Sequence, residues 1–116
     1  MKKLTFVALI CLLSACKKEQ TSQTLTVSVS NLPNGTTYNI NITDKKKGTA
    51  VLQVTNGSGP YNQTAGVTSG QQISIDYRFT YVANPVNSGV LNISVPSKVL
   101  FQTGQAGNGI VDVTVP

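Results

Sequence analysis

Ile73-Ser74-Ile75-Asp76-Tyr77-Arg78-Phe79-Thr80-Tyr81 is the stretch in which apolar and polar side chains alternate longest without a break. Successive side chains of an extended strand point to opposite faces, so Ile73, Ile75, Tyr77, Phe79 and Tyr81 share one face and Ser74, Asp76, Arg78 and Thr80 the other. A helix would scatter the same residues around its circumference. The run predicts a strand with one dry and one wet face. Three aromatics in line are also the shape of a sugar-stacking strip, but Ile73 and Ile75 continue the stripe, which favours core packing.

The same period recurs on both sides of this run. Leu25, Val27 and Val29 share a face, as do Tyr38, Ile40 and Ile42, then Ala50, Leu52 and Val54, a run over residues 61–65, Leu91, Ile93 and Val95, Val99 and Phe101, and finally Val111, Val113 and Val115. Asn34-Gly35, Asn56-Gly57 and Asn108-Gly109 suit the left-handed conformations of tight turns. Pro33, Pro60, Pro85 and Pro96 fall between runs, where a missing N–H costs no ladder bond. Short one-sided strands with frequent turn signals predict an all-β fold, a two-layer antiparallel sandwich of seven to eight strands, over residues 24–116.

Residues 1–23 follow another pattern. Lys2 and Lys3 precede the apolar run Leu4 to Leu13, which is shorter than the ~20 residues that span a bilayer. The run closes on Leu13-Ser14-Ala15-Cys16, which resembles the lipobox of bacterial lipoprotein signal peptides. The resemblance implies cleavage after Ala15, diacylglycerol on the Cys16 thiol, acylation (palmitate) of the new amino terminus in Gram-negative cells, and anchorage in the cell envelope. Lys17, where an aspartate would mark inner-membrane retention in that family, implies the outer membrane, with the periplasmic or the surface face left open. An ordinary secretory signal cut near Ala15 is the alternative. On the lipoprotein reading, residues 1–15 are the signal, and residues 16–23, without an apolar side chain after Cys16, are a tether.

Composition narrows the chemistry. The chain has two cysteines, Cys11 in the leader and Cys16 at the lipidation position, so no disulfide is expected within one mature chain. Removing Lys2 and Lys3 leaves seven basic against four acidic residues, a balance too weak to indicate nucleic acid. Histidine is absent, which excludes Ser-His and Cys-His nucleophilic catalysis and the commonest transition-metal ligand. Asp44, Asp76 and Asp112 are far apart in sequence, and no calcium-loop spacing occurs. Asp76 is expected to pair with Arg78 across one strand face. Gly104, Gly107 and Gly109 precede a strand rather than a helix, unlike a phosphate loop. The sequence points away from an enzyme and names no cofactor and no metal.

Leu32-Pro33-Asn34-Gly35-Thr36-Thr37-Tyr38 resembles the loop-to-strand element of fibronectin type III and related immunoglobulin-like sandwiches, where a tyrosine corner forms. The resemblance implies a half-buried Tyr38 whose hydroxyl bonds to backbone upstream. In an antiparallel sandwich successive loops alternate between the two ends. Lys45, Lys46 and Lys47 are then expected at the end where the tether enters, facing anionic headgroups or merely keeping an edge soluble. Asn34, Asn56, Asn84, Asn87 and Asn108 are expected in loops at the opposite end, where rigid sandwiches commonly carry recognition.

The function expected is therefore a membrane-anchored lipoprotein acting as a non-catalytic binding or structural module for a protein or glycan. The alternative is a hydrolase inhibitor. Asn84-Pro85 with Gly89 resembles one loop of the chagasin-type cysteine protease inhibitors, and the glycines at 104, 107 and 109 another. The order along the chain differs, and no counterpart of an Arg-Pro-Trp loop exists, because Arg78 is the only arginine.

Overall fold

The computed structural model describes residues 21–82, 89–104 and 106–116. These residues form eight strands: β1 Ser22–Ser30, β2 Thr37–Asp44, β3 Ala50–Ser58, β4 Tyr61–Thr68, β5 Gln72–Thr80, β6 Val90–Val95, β7 Lys98–Thr103 and β8 Asn108–Thr114. They pair antiparallel into two sheets, β4-β1-β6-β7 and β3-β2-β5-β8. The protein is thus an all-β, two-layer sandwich. Strands β1 and β4, together with β3, β2, β5 and β8, are neighbours as B and E, and as C′, C, F and G, are in immunoglobulin-type sandwiches. The β6–β7 hairpin lies against β1 where the first strand of that arrangement would lie.

Alternation dictates the core. From one sheet Leu25, Val27, Val29, Val67, Leu91, Ile93 and Val95 point inward, and from the other Tyr38, Ile40, Ile42, Val54, Ile73, Ile75 and Phe79. Each such side chain contributes about 1.5–3 kcal/mol when fully buried. Ala106 and Val115 close the two ends, so the core of the described residues runs from Leu25 to Val115. The aromatic run of β5 belongs to it. Phe79 is buried, stacked between Tyr38 at 5.4 Å and Tyr81 at 6.4 Å, while Tyr77 leans on Phe101 of β7 at 5.3 Å. β1 starts at Ser22, two residues before the expected domain start, because Ser22 and Gln23 already pair with Thr68 and Val67.

Three bulges shift faces that strict alternation assigned otherwise. Ile93 faces Phe101 but Ser94 faces Val99, so Leu100 is the extra residue and Val99 is turned outward, 49% exposed. Ile42 faces Leu52 but Thr43 faces Ala50, which exposes Ala50 and makes Val51 the extra residue. Between Tyr38 and Ile40 the opposite strand spends one residue too many, and Asn56 absorbs the irregularity with φ +53°. The N–H it would otherwise leave unpaired is taken by Asn39 Oδ1 at 2.9 Å.

Only one of the three Asn-Gly pairs makes a turn. Asn34-Gly35 sits between Pro33 and Thr36, with Gly35 at φ +83° and the Thr36 N–H donating to the Pro33 carbonyl. Gly57 and Gly109 lie inside strands, directly across from Tyr38 and Tyr77. A Cβ on Gly57 would stand 2.5 Å from the Tyr38 ring, and one on Gly109 2.6 Å from the Tyr77 hydroxyl. These glycines are the floors on which two tyrosine rings lie.

Tyr38 also departs from the tyrosine-corner expectation. It is buried, with 1% of its surface exposed, and its hydroxyl donates to the Gly59 carbonyl at 2.8 Å, 21 residues downstream. Lying on β2, it reaches the β3–β4 turn, which follows it in the chain. Gly57→Ala is therefore expected to destabilise the domain by about 1–3 kcal/mol in urea unfolding, because the Tyr38 ring is clamped by Phe79 and cannot withdraw. Gly66→Ala, on an open edge with nothing within 4 Å, should change stability by no more than about 0.5 kcal/mol.

Candidate functional site

The registers set the two ends of the sandwich. Ser22 faces Thr68, Asp44 faces Ile73, Val95 faces Lys98 and Gln72 faces Thr114, so all these lie at the entry end, where β1 begins. Val29 faces Tyr61, Thr37 faces Thr80, Ser30 faces Val90 and Arg78 faces Asn108 at the far end. β1, with nine residues, separates the ends by roughly 30 Å at about 3.3 Å per residue.

At the far end the β1–β2 loop and the β3–β4 turn enclose an open cleft of about 420 Å³, lined by Leu32, Pro33, Asn34, Gly35, Gly59 and Pro60 among others. Its walls are held from within. The buried Thr36 hydroxyl donates to the Pro33 carbonyl at 2.7 Å, and the Tyr38 hydroxyl holds Gly59. Burial raises the Tyr38 phenol above its ordinary pKa, with the neighbouring Tyr61 adding to the effect, so it stays protonated as that donor. Val82, 76% exposed, stands beside the turn: a Cβ on Gly35 would meet its Cγ2 at 2.9 Å. The bases of the adjoining loops are pinned by Tyr81, whose hydroxyl donates to the Ala106 carbonyl and accepts from the Gly89 N–H, and by a bond from the Ala106 N–H to the Gly89 carbonyl.

Of the three described asparagines expected in far-end loops, Asn34 lines this cleft and the other two do not. Asn56 is the bulge residue of β3 and Asn108 the first residue of β8, so neither is a loop residue. Asn84 and Asn87 lie outside the described residues, as do Cys16 and the rest of residues 1–20.

At the entry end the three lysines have unequal surroundings. Asp44, buried at the end of β2, accepts the N–H groups of Lys46 and Lys47 through Oδ1 at 2.9 and 2.8 Å, and Gln71 Nε2 through Oδ2 at 2.9 Å. The turn is closed by Gly48, at φ +70°, donating to the Asp44 carbonyl. An aspartate opening a turn in this way is a readable signal, since its short carboxylate caps the amides that follow. The partner Gln71 is not readable, as it comes from another turn. The Lys47 amide, then the Gln71 and Lys46 bonds and the Lys47 charge, hold the Asp44 carboxyl below its ordinary pKa against the opposing effect of burial.

Lys45 turns away along the outer face and pairs with Asp112 of β8 at 2.8 Å, lowering the Asp112 pKa with help from Ser74. This ion pair replaces the expected Asp76–Arg78 pair, for which no contact forms among the described residues. Lys46 and Lys47 are left exposed on the rim of a second open cleft, of about 440 Å³, walled by the β4–β5 turn.

Among the described residues no three His, Cys, Asp or Glu side chains come together. Neither cleft brings a nucleophile and a base into contact. The two clefts differ in character: a largely apolar, backbone-lined one at one end and a polar, basic one at the other. No protein-family model, curated protein or solved structure matches the chain.

Two carboxylates with lowered folded-state pKa values contribute to the acid response. Protonation favours the unfolded chain, whose carboxyls bind protons at higher pH. The stabilisation from Asp44 and Asp112 is complete at neutral pH and is lost as pH falls through their folded values. Urea midpoints recorded from neutral pH downward should hold until the ordinary carboxylate range and then fall as pH drops through it toward the lower folded values. Asp44→Asn should lower the neutral-pH midpoint and flatten that fall, because an Asn Nδ2 would confront the Gln71 Nε2 donor.

Proposed function

We propose that this protein is a lipid-anchored, non-catalytic binding module of the Gram-negative envelope, held through Cys16 and presenting the far-end cleft to a protein or glycan partner. The observation that carries the reading is polarity: the cleft of Leu32, Pro33 and Pro60 opens at the end opposite Ser22, where the tether joins. A domain tethered at one end offers the other to partners. The cleft is built from backbone and small or apolar side chains, a lining suited to docking a chain or a sugar face rather than to reaction. The lipobox-like Leu13-Ser14-Ala15-Cys16 supports the anchor, and Lys17 the outer membrane.

Two measurements test this. The full chain expressed in Gram-negative cells should incorporate labelled palmitate and the Cys16→Ser chain should not; labelling of both or neither would remove the anchor. A photo-crosslinking residue at Asn34 should give discrete envelope adducts that one at Ser97, on the entry end, does not. Pro60→Asp should abolish those adducts while leaving the fold intact, since Pro60 lines the cleft and is exposed.

A further inference from the structure

We infer that the entry-end cleft, between the Lys46-Lys47 turn and the β4–β5 turn, docks the phosphate headgroup of an anionic lipid in the membrane that carries the anchor. The inference rests on the lipid-anchor reading and adds a second, specific contact with the bilayer. Three features of the cleft point to it.

The first is where the tether leaves. Ser69 donates its N–H to the Thr21 carbonyl at 2.8 Å, and Gln23 Nε2 donates to Ser69 Oγ at 2.8 Å. The chain is therefore stitched to the β4–β5 turn, the wall of the cleft, as it departs toward Cys16. Cys16 lies six positions before Ser22, a reach of at most about 21 Å when fully extended. A lipidated Cys16 therefore holds Ser22, beside the cleft wall, within that distance, so docking is an intramolecular event at high effective concentration.

The second feature is charge. Lys45 is neutralised by Asp112 and points away along the outer face. Asp44, the one carboxylate in the cleft, is turned inward and satisfied by three donors. Two exposed ammonium groups line the rim, while Asp44 is satisfied internally and the Pro116 oxygen near Ser69 is engaged by Gln23 Nε2 at 2.6 Å. The third is the donor set. Ser69 Oγ accepts from Gln23, which leaves its own proton to donate, and the exposed Thr68 hydroxyl stands beside it. Two ammonium groups and two hydroxyls suit phosphate oxygens. Gln71 is fully used, with Oε1 accepting from the Thr68 N–H and Nε2 holding Asp44, so it braces the cleft rather than binding.

The test separates this contact from biological lipidation. Residues 16–116 contain every residue of the described core, their fold being checked first by the dispersion of their amide spectrum, and Cys16 is their only thiol. That thiol is coupled chemically to a maleimide lipid in phosphatidylcholine vesicles, with or without phosphatidylglycerol, carrying a spin-labelled headgroup. Amide broadening is read at Gly48 and Gly70, at the entry end, and at Gly35 and Gly59, at the far end.

With phosphatidylglycerol, Gly48 and Gly70 should broaden strongly and Gly35 and Gly59 should not. Lys46→Gln with Lys47→Gln should cut the docked-to-undocked ratio roughly thirty-fold, from the contribution of two surface lysines, whereas the charge-neutral pair Lys45→Gln with Asp112→Asn should retain docking. Equal broadening with and without phosphatidylglycerol, or equal loss in both double variants, overturns the inference. So does inorganic phosphate, added to the uncoupled domain, shifting Ser69 as strongly as lipid does. Failure of palmitate labelling in cells would instead count against the anchor reading, because attachment here does not depend on it.

Discussion

The contact on which most of the sandwich converges is the packing of the Tyr38 ring. It projects from β2, lies over Gly57 of β3, stacks on Phe79 of β5, meets Tyr61 of β4 edge to face, and fixes Gly59 through its hydroxyl. One side chain thus joins three strands of one sheet to the edge strand of the other, at the point where the chain crosses between layers. Without a disulfide in the domain, such a crossing is held by burial and one hydrogen bond. A glycine opposite is required because two strands about 4.8 Å apart leave no room for both a flat ring and a Cβ.

The Tyr77–Gly109 pair repeats this solution on the other side of β5. The two tyrosines bracket the central strands β2 and β5, whose four isoleucines, Ile40, Ile42, Ile73 and Ile75, are completely buried. The bulges at Val51, Asn56 and Leu100 fall on edge strands, β3 and β7, while central strands keep strict alternation. Edge strands have one free side and tolerate an extra residue, which also roughens the edge against pairing with another chain.

The same frame gives the domain its two unlike ends. At the far end, apolar loop residues sit over carbonyls held by Tyr38, Thr36 and Tyr81. At the entry end, carboxylate, amide and lysine side chains interlock around Asp44. The charged strand residues Asp76, Arg78 and Asp112 lie outward on one sheet, whereas the outer positions of β1, β4 and β6 carry Thr24, Thr26, Ser28, Asn62, Thr64, Asn92 and Ser94. The charge of the described domain is thereby confined to one face and one end.

Period-two alternation was enough to predict seven to eight strands and the buried face of every central strand; given eight, parity also assigns an end to each loop. These are local consequences of the pleat. What alternation could not decide were events involving a second strand. Asn56-Gly57 and Asn108-Gly109 carry turn chemistry, yet they lie in strands because Asn56 absorbs a bulge and the glycines make room for rings that arrive from β2 and β5. Val99 and Ala50 face outward because of bulges defined only by the strand opposite. Among the lysines of the turn, the separation of Lys45 from Lys46 and Lys47 depends on Asp112, which is remote in sequence and brought near by the β5–β8 pairing. A single strand determines its own faces; which side chain fills the space across from it is settled only when the sheets assemble.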